Sequence, residues 1–359
     1  MHSQIDASVN WLSPADIGAI ETRFVRRRRD SFVIYLSSQT GCRQACRMCH
    51  LTATGQTALR DVTLEELVAQ AETVFAHYRA ALPARTVHFN FMARGEPLLN
   101  PVIVERSGEL FDRLWQLANA HGLRARFLVS TIMPKALAHP LDQIFDRYHP
   151  EIYYSLYSTN ERFRRRWLPK AQPVADALDQ LAAWQRETYK LVKIHYAFIL
   201  GENDSEADVH AICDALEARR LCAHVNIVRY NPPSPAHGEE PSELVIERNA
   251  QIFRTRLANV RVQVIPRVGF DVHASCGMFV PRGTSFAALD RMSNEKHAAR
   301  GAPPVIEKDQ PSFVDDDTRW HKQLTDRKVV DLEHVGASTP DADSDELPPQ
   351  PRPENERSS

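Results

Sequence analysis

Three cysteines, Cys42, Cys46 and Cys49, lie within eight residues as C-x-x-x-C-x-x-C in the stretch GCRQACRMCH. Three thiolates from one short loop suit a cubane iron–sulfur cluster that leaves one iron open for a substrate. A zinc site, with His50 or a distant residue as fourth ligand, is the alternative reading of the same donors. Zinc motifs usually arrive as paired Cys-x-x-Cys elements, and the chain has no second pair. Cys213, Cys222 and Cys276 stand apart, and a lone cysteine is commonly an inert, buried residue. Six cysteines in 359 residues are too sparse for a disulfide scaffold and point to a reducing, cytoplasmic setting.

A cysteine loop does chemistry only if the chain around it is held in place. β-rich runs at 31–38, 86–92, 124–131, 151–157, 191–200 and 223–231 alternate with stretches of helical periodicity. Thr63 with Glu66 three positions on reads as the capping-box start of a helix over 63–82. Helices are also expected in PVIVERSGELFDRLWQLANAHGL, stopped by Gly122, and in PKALAHPLDQIF and VADALDQLAAWQRET. SEADVHAICDALEARR, opening on Ser205, and ERNAQIFRTRLANV complete the set. Strand and helix alternating six times imply parallel βαβ units, closed or part-closed into a barrel. Such a barrel carries its chemistry at the C-terminal ends of the strands. The cysteine loop follows the first strand, where that rule places it.

No run of about 18 apolar residues exists, so no membrane span is expected. The N-terminus lacks the charged start and apolar stretch of a secretory signal. Composition shifts after Val280. Residues 281–359 hold 11 Lys+Arg against 16 Asp+Glu, are rich in proline, and contain no cysteine. Such a segment buries too little apolar area to offset its ordering entropy and is expected to be unfolded. The expected domains are an N-terminal extension (1–30), the barrel (31–280) and an acidic, Pro-rich tail (281–359). The net charge of -2 thus hides a mildly basic core, with 33 Lys+Arg against 30 Asp+Glu.

With these segments in view, the chain resembles the radical S-adenosylmethionine (SAM) superfamily. Within it, the resemblance is to the RlmN/Cfr-type RNA adenine methyltransferases that act on large-subunit rRNA and tRNA. It covers about residues 20–280. LSSQTGCRQACRMC resembles the family's cluster loop, FMARGEPLLN its Gly-Glu-Pro segment and FLVSTIMPK its Ser-Thr strand end. YYSLYSTNERFRRRWLPK resembles a Ser-Leu-His-Ala-Pro-Asn segment, with Tyr157 in place of His. YAFILGENDSEAD, VNIVRYNPPSP and FDVHASCGMF follow in the family's order.

The resemblance implies a partial (β/α)6 TIM-like barrel holding a [4Fe-4S] cluster and SAM. Cys42, Cys46 and Cys49 would ligate three irons, and SAM the fourth. Gly95 and Glu96 would meet the SAM ammonium, with the carboxylate accepting from it. Ser130, Ser155, Leu156 and Tyr157 would line the ribose and methionine region, and Asn231 would contact the adenosine side. Cys276 would take a methyl group from one SAM and pass that carbon to an amidine carbon of adenine after loss of a hydrogen atom. Glu21 would be the proton acceptor, although it lies one residue further from Cys42 than the family spacing. The implied partners are rRNA or tRNA and an electron donor such as flavodoxin or ferredoxin, with no membrane, and the protein acting as a monomer.

Two departures qualify the match. The family carries a second redox cysteine on the strand before the cluster loop, and Tyr35 occupies that place here. Cys42 also comes too early to leave room for the family's RNA-binding accessory domain. The basic runs RFVRRRRD (23–30) and RFRRRWLPK (162–170) could grip phosphates from positions near the active face. Three functions follow: modification of an RNA adenine through Cys276, radical SAM chemistry on a non-RNA substrate with Cys276 repurposed, or cluster and SAM binding without turnover.

Overall fold

Alternating apolar and polar side chains build one nine-stranded sheet whose strands lie in chain order. The computed structural model describes residues 1–78, 83–257 and 260–281. Strands β1 (Val9–Pro14) and β2 (Ala19–Val25) pair antiparallel, and β2 pairs antiparallel with β3 (Ser31–Tyr35). From β3 onward every pairing is parallel: β4 (Thr86–Phe91), β5 (Arg124–Thr131), β6 (Glu151–Ser155), β7 (Val192–Tyr196), β8 (Ala223–Val228) and β9 (Val262–Ile265). No pairing among the described residues returns β9 to the first strands, so the barrel is open.

The six expected parallel strands are present, and β9 is a seventh. Its sequence VQVI is short, and all four of its residues are only half-buried, which leaves a weak signal. Residues 1–30 form more than an extension, since β1 and β2 continue the sheet. In β2, Glu21 and Arg23 are buried and paired with each other, so charges that suggest a surface segment lie inside. The segment read as an unfolded tail falls, from residue 282, outside the described residues.

Helices fill the crossovers: α1 (His50–Ala53), α2 (Leu64–His77), α3 (Pro101–Glu105), α4 (Ser107–Ala120), α5 (Leu141–Ile144), α6 (Glu161–Trp167), α7 (Val174–Thr188), α8 (Glu206–Glu217) and α9 (Glu243–Arg256). The capping box at Thr63 and Glu66 is formed, and Ser205 makes another with Asp208. The single helix expected over 101–122 is two, broken at Arg106, whose backbone is non-helical. The helix expected in PKALAHPLDQIF shrinks to the four residues of α5, because Pro134 and Pro140 interrupt the pattern. No described helix is long and apolar enough to cross a membrane.

The strands have two unlike faces. Ile34, Phe89, Val129, Tyr154, Ile194 and Val225 point outward into the core under the helices. Their neighbours Tyr35, Asn90, Tyr153, His195 and Asn226 face a cavity inside the barrel. The period-2 pattern of half-buried strands is thus obeyed, with the polar face turned inward.

Candidate active site at the open end of the barrel

The cysteine loop leaves the C-terminal end of β3 and is pinned by backbone bonds. Ser38 N–H donates to Arg94 O at 2.8 Å, Thr40 N–H to Arg60 O at 3.0 Å, and Cys42 N–H to Gln56 O at 3.1 Å. Ala45 takes a left-handed conformation (φ 57°) between the first two cysteines, and Cys49 N–H closes a turn on Cys46 O at 3.1 Å. All three thiols are free. Burial pushes them up, Cys42 to about 12 and Cys46 well above its ordinary value, and each of these two is pushed further by the neighbouring cysteines. Three such thiolates coexist only around a strongly cationic centre, which is the donor chemistry of an iron–sulfur cluster. No group of three donors among the described residues converges to hold a single metal ion, so the zinc alternative gains no geometry. His50 Nε2 lies 3.2 Å from Asn231 O instead.

Glu96 lies at the end of β4, fully enclosed, between the cluster loop and β5. Its carboxylate accepts from the backbone N–H groups of Leu98 (3.3 Å) and Ile132 (3.1 Å). Among the described residues no basic side chain pairs with it, and burial raises it to about 7. A buried carboxylate with no cation suits an ammonium ligand, so the site fits SAM as well as the cluster. Gly95 stands at φ +99°, and a Cβ there would sit 2.6 Å from Ser38 Oγ and 2.7 Å from Gln39 N. Only glycine permits this close approach of the Glu96 turn to the cluster loop.

The other expected residues divide. Ser130 Oγ donates to Asn90 Oδ1 at 3.2 Å on the inner face. Ser155 is half-buried at the end of β6. Tyr157, at φ 56°, lies buried near Cys46 and Cys276, and burial raises its phenol far above the ordinary range, with those thiols adding to the effect. Leu156 does not face the site, because its side chain is fully buried in the outer core. The Asn231 amide is already committed: Nδ2 donates to Cys276 O (3.0 Å) and Ser275 Oγ (3.2 Å), and Oδ1 accepts from Arg267 (2.9 Å). Asn231 therefore ties the end of β8 to the Cys276 segment rather than standing ready for adenosine.

Glu21 also departs from expectation. Its carboxylate is fully buried, accepting from Arg23 (2.8 Å), Arg94 (3.0 Å) and Asn10 Nδ2 (2.9 Å). Burial opposes its ionisation, but Arg23 and Arg94 prevail and hold it below the ordinary carboxylate range. Such a carboxylate is a poor proton acceptor, and its partners have another task. Arg23 Nη2 donates to Met278 O (2.5 Å), Arg94 Nη2 to Val280 O (3.2 Å) and Asn10 Nδ2 to Val272 O (2.8 Å). Both guanidiniums also lie over the Phe279 ring. The segment carrying Cys276 is thus clamped at several points by one buried charge cluster. The sequence reading missed Asn10 and Arg94 and took Arg23 as part of a phosphate-gripping run; Arg94, within the ARGEP stretch, carried a local signal.

Cys276 is half-buried, with a thiol raised by burial, and the carbonyl of its neighbour Gly277 accepts from His50 N–H at 3.2 Å. The residue after Cys276 is therefore tied to the end of the cluster loop by a backbone hydrogen bond. Tyr35, buried on β3, lines the same cavity as Cys276. Cys213 is buried in the core on α8, and Cys222 precedes β8 at the opposite end of the barrel, bonded through its backbone to Gln185. Neither can stand in for a thiol at Tyr35. The two basic runs also separate. The turn at 26–30 lies at the N-terminal end of β3, away from the cluster loop, yet Arg23 and Arg27 of that run reach the Cys276 segment and the cavity beside it. On α6, by contrast, Arg162, Arg165 and Arg166 are exposed at the active end, as are Lys170, Arg43 and Arg47.

The chain is similar to several known proteins. The family model for the radical SAM superfamily matches residues 36–211. A Synechococcus sp. (strain CC9902) protein, "Probable dual-specificity RNA methyltransferase RlmN", is 30% identical over 76% of this chain and 75% of its own length. A Rhodopseudomonas palustris (strain BisB5) protein, "Probable RNA methyltransferase", is 31% identical over 72% of this chain and 67% of its own. The crystal structure of a radical SAM methyltransferase from Sphaerobacter thermophilus superposes with a TM-score of 0.63 at 27% identity, covering 76% of each chain.

Proposed function

The chain belongs to the radical SAM superfamily, among the RlmN-like methyltransferases, and on that premise we propose that it modifies an adenine of ribosomal or transfer RNA through Cys276. It is a radical SAM enzyme, and its cofactors are a [4Fe-4S] cluster and SAM. Bound together, they supply one-electron chemistry that opens SAM and removes a hydrogen atom from an unactivated carbon.

The chain's own residues do the rest. Cys42, Cys46 and Cys49 hold the cluster, and the otherwise unpaired Glu96 carboxylate takes the SAM ammonium. Gly95 lets that carboxylate approach the cluster loop. Cys276 carries the new carbon as a thioether, then bonds through that carbon to the adenine amidine carbon. The observation that carries this reading is that the segment holding Cys276 is tied to the cluster loop through Gly277 and His50 and clamped at Met278 and Val280 by the Glu21 charge cluster. Exposed Arg162, Arg165, Arg166 and Lys170 give the RNA backbone a basic rim at the same end.

After carbon–carbon bond formation the RNA is attached to the protein through an S–CH2 link. Release requires a second thiol to attack the Cys276 sulfur, and Tyr35 cannot do so. Reduced, cluster-loaded protein with methyl-labelled SAM and rRNA or tRNA should therefore accumulate a covalent adduct. Nuclease digestion and mass spectrometry should find one labelled adenine nucleotide on Cys276. Free methyladenine at ordinary turnover would remove the argument from Tyr35, and an unmodified Cys276 with SAM still cleaved would remove the methyl-carrier reading. The loss of the second thiol favours one other reading, a non-RNA substrate with Cys276 repurposed, in which no RNA adduct forms. An electron donor such as flavodoxin or ferredoxin completes the proposed system, with the protein acting as a monomer in the cytoplasm.

A further inference from the structure

Inside the barrel, a cavity of about 80 Å³ is walled by groups that include Arg27, Tyr35, Tyr153, His195, Asn226 and Cys276. Among the described residues no aspartate or glutamate lines it. Arg23 and Arg94 share Glu21, and Arg126 meets Glu151. Arg27, half-buried and rising from the turn after β2, meets no such acid among the described residues, and its Nε is enclosed without a hydrogen-bond partner among them. The acidic groups near it are the Tyr35 phenol, which shares a hydrogen bond with it, the Tyr153 phenol and the Cys276 thiol. Burial pushes both Tyr35 and Cys276 up, so neither brings a negative charge at neutral pH. His88 and His195 are held neutral by burial, at about 3 and about 4, and His195 Nε2 is also unpartnered. A guanidinium cannot escape its charge by deprotonation as a lysine can. An enclosed Nε and the lack of a paired acid leave this half-buried guanidinium open to a negative group that enters the cavity.

We propose that Arg27 is a specificity-determining residue that receives an oxyanion of the substrate, phosphate or carboxylate, inside the barrel beside Cys276. The planar guanidinium fork matches either group. The inference rests on the cavity being the substrate site and deepens that reading. With an RNA substrate, the oxyanion is the phosphate of the target nucleotide, drawn in with its base.

The test is calorimetric titration of the cluster- and SAM-loaded protein with adenosine, adenosine 5′-monophosphate, inorganic phosphate and acetate. Adenosine 5′-monophosphate should bind at least about tenfold more tightly than adenosine. Arg27→Gln should abolish the difference, and Arg27→Lys should keep part of it by retaining charge without the fork. Acetate matching phosphate would identify a carboxylate as the natural group, and phosphate alone a phosphoryl group. Equal affinities for adenosine and its monophosphate in the native protein overturn the proposal without any variant. Phosphate binding that appears only in Cys276→Ala overturns it as well, because the Cys276 thiolate is then the counter-ion. Oxyanion binding through Arg27 with no RNA modification would remove only the RNA reading. RNA modification with an Arg27→Gln KM like the native value would remove only this one.

Discussion

Glu96 titrates near neutrality because it is enclosed with backbone N–H donors but no cation. A raised carboxyl stabilises the fold below its unfolded value, and that contribution is lost as the pH climbs through about 7. SAM binding runs the other way, since an ammonium needs the ionised form. SAM affinity, measured by equilibrium dialysis on cluster-loaded protein, should fall about tenfold between pH 8 and pH 6. Glu96→Gln should bind weakly and lose that dependence; an unchanged pH profile would remove the assignment. At Cys276, substitution by Ala should abolish retention of label from methyl-labelled SAM, read by mass spectrometry of the intact protein. Gly95 is constrained by space alone, and Gly95→Ala should displace the cluster loop and lower the iron content after reconstitution.

Among the elements, β2 and the strand ends matter most. The polar alternation of β2 holds Glu21 on the buried side, where Arg23 and Arg94 reach over it to the carbonyls of the Cys276 segment. Glu21→Gln would leave two buried guanidiniums uncompensated and should destabilise the protein by about 3–5 kcal/mol in denaturant unfolding. It should also speed alkylation of Cys276 by loosening its segment, whereas a proton acceptor would leave that rate alone. Because Glu21 is held low by Arg23 and Arg94, its stabilising contribution is present above its unfolded value and lost as the pH falls.

Among the described residues, exposed basic side chains line the open end of the barrel. The cluster loop and α6 expose Arg43, Arg47, Arg162, Arg165, Arg166 and Lys170 around the open end. Lys170 lies close enough to Cys42 to ease its thiol downward against the effect of burial. A triple substitution of Arg162, Arg165 and Lys170 by Gln should weaken RNA binding in a filter-binding assay. It should also flatten the dependence of log affinity on log salt by about 2, as expected for three phosphate contacts to a single strand. The same changes at Arg26, Arg28 and Arg29, at the other end of β3, should leave both measurements unchanged.

The local chemistry was legible in the chain. Cysteine spacing depends on covalent reach alone, capping boxes on three-residue offsets, and strand identity on alternation, so the cluster loop, Thr63–Glu66 and six parallel strands could be read directly. Features set by distant partners could not. Alternation marks two faces but does not say which encloses a cavity, so the chain alone did not place His195 and Asn226 inside the barrel. Glu21 looked like a proton acceptor until Arg94, 73 residues away, and the carbonyls near Cys276 were brought against it. Asn231 looked like a ligand contact until the fold closed its amide on Cys276. A side chain's type comes from the chain, but whether it is free to act depends on which neighbours satisfy its hydrogen bonds and charge, and the tertiary structure decides that.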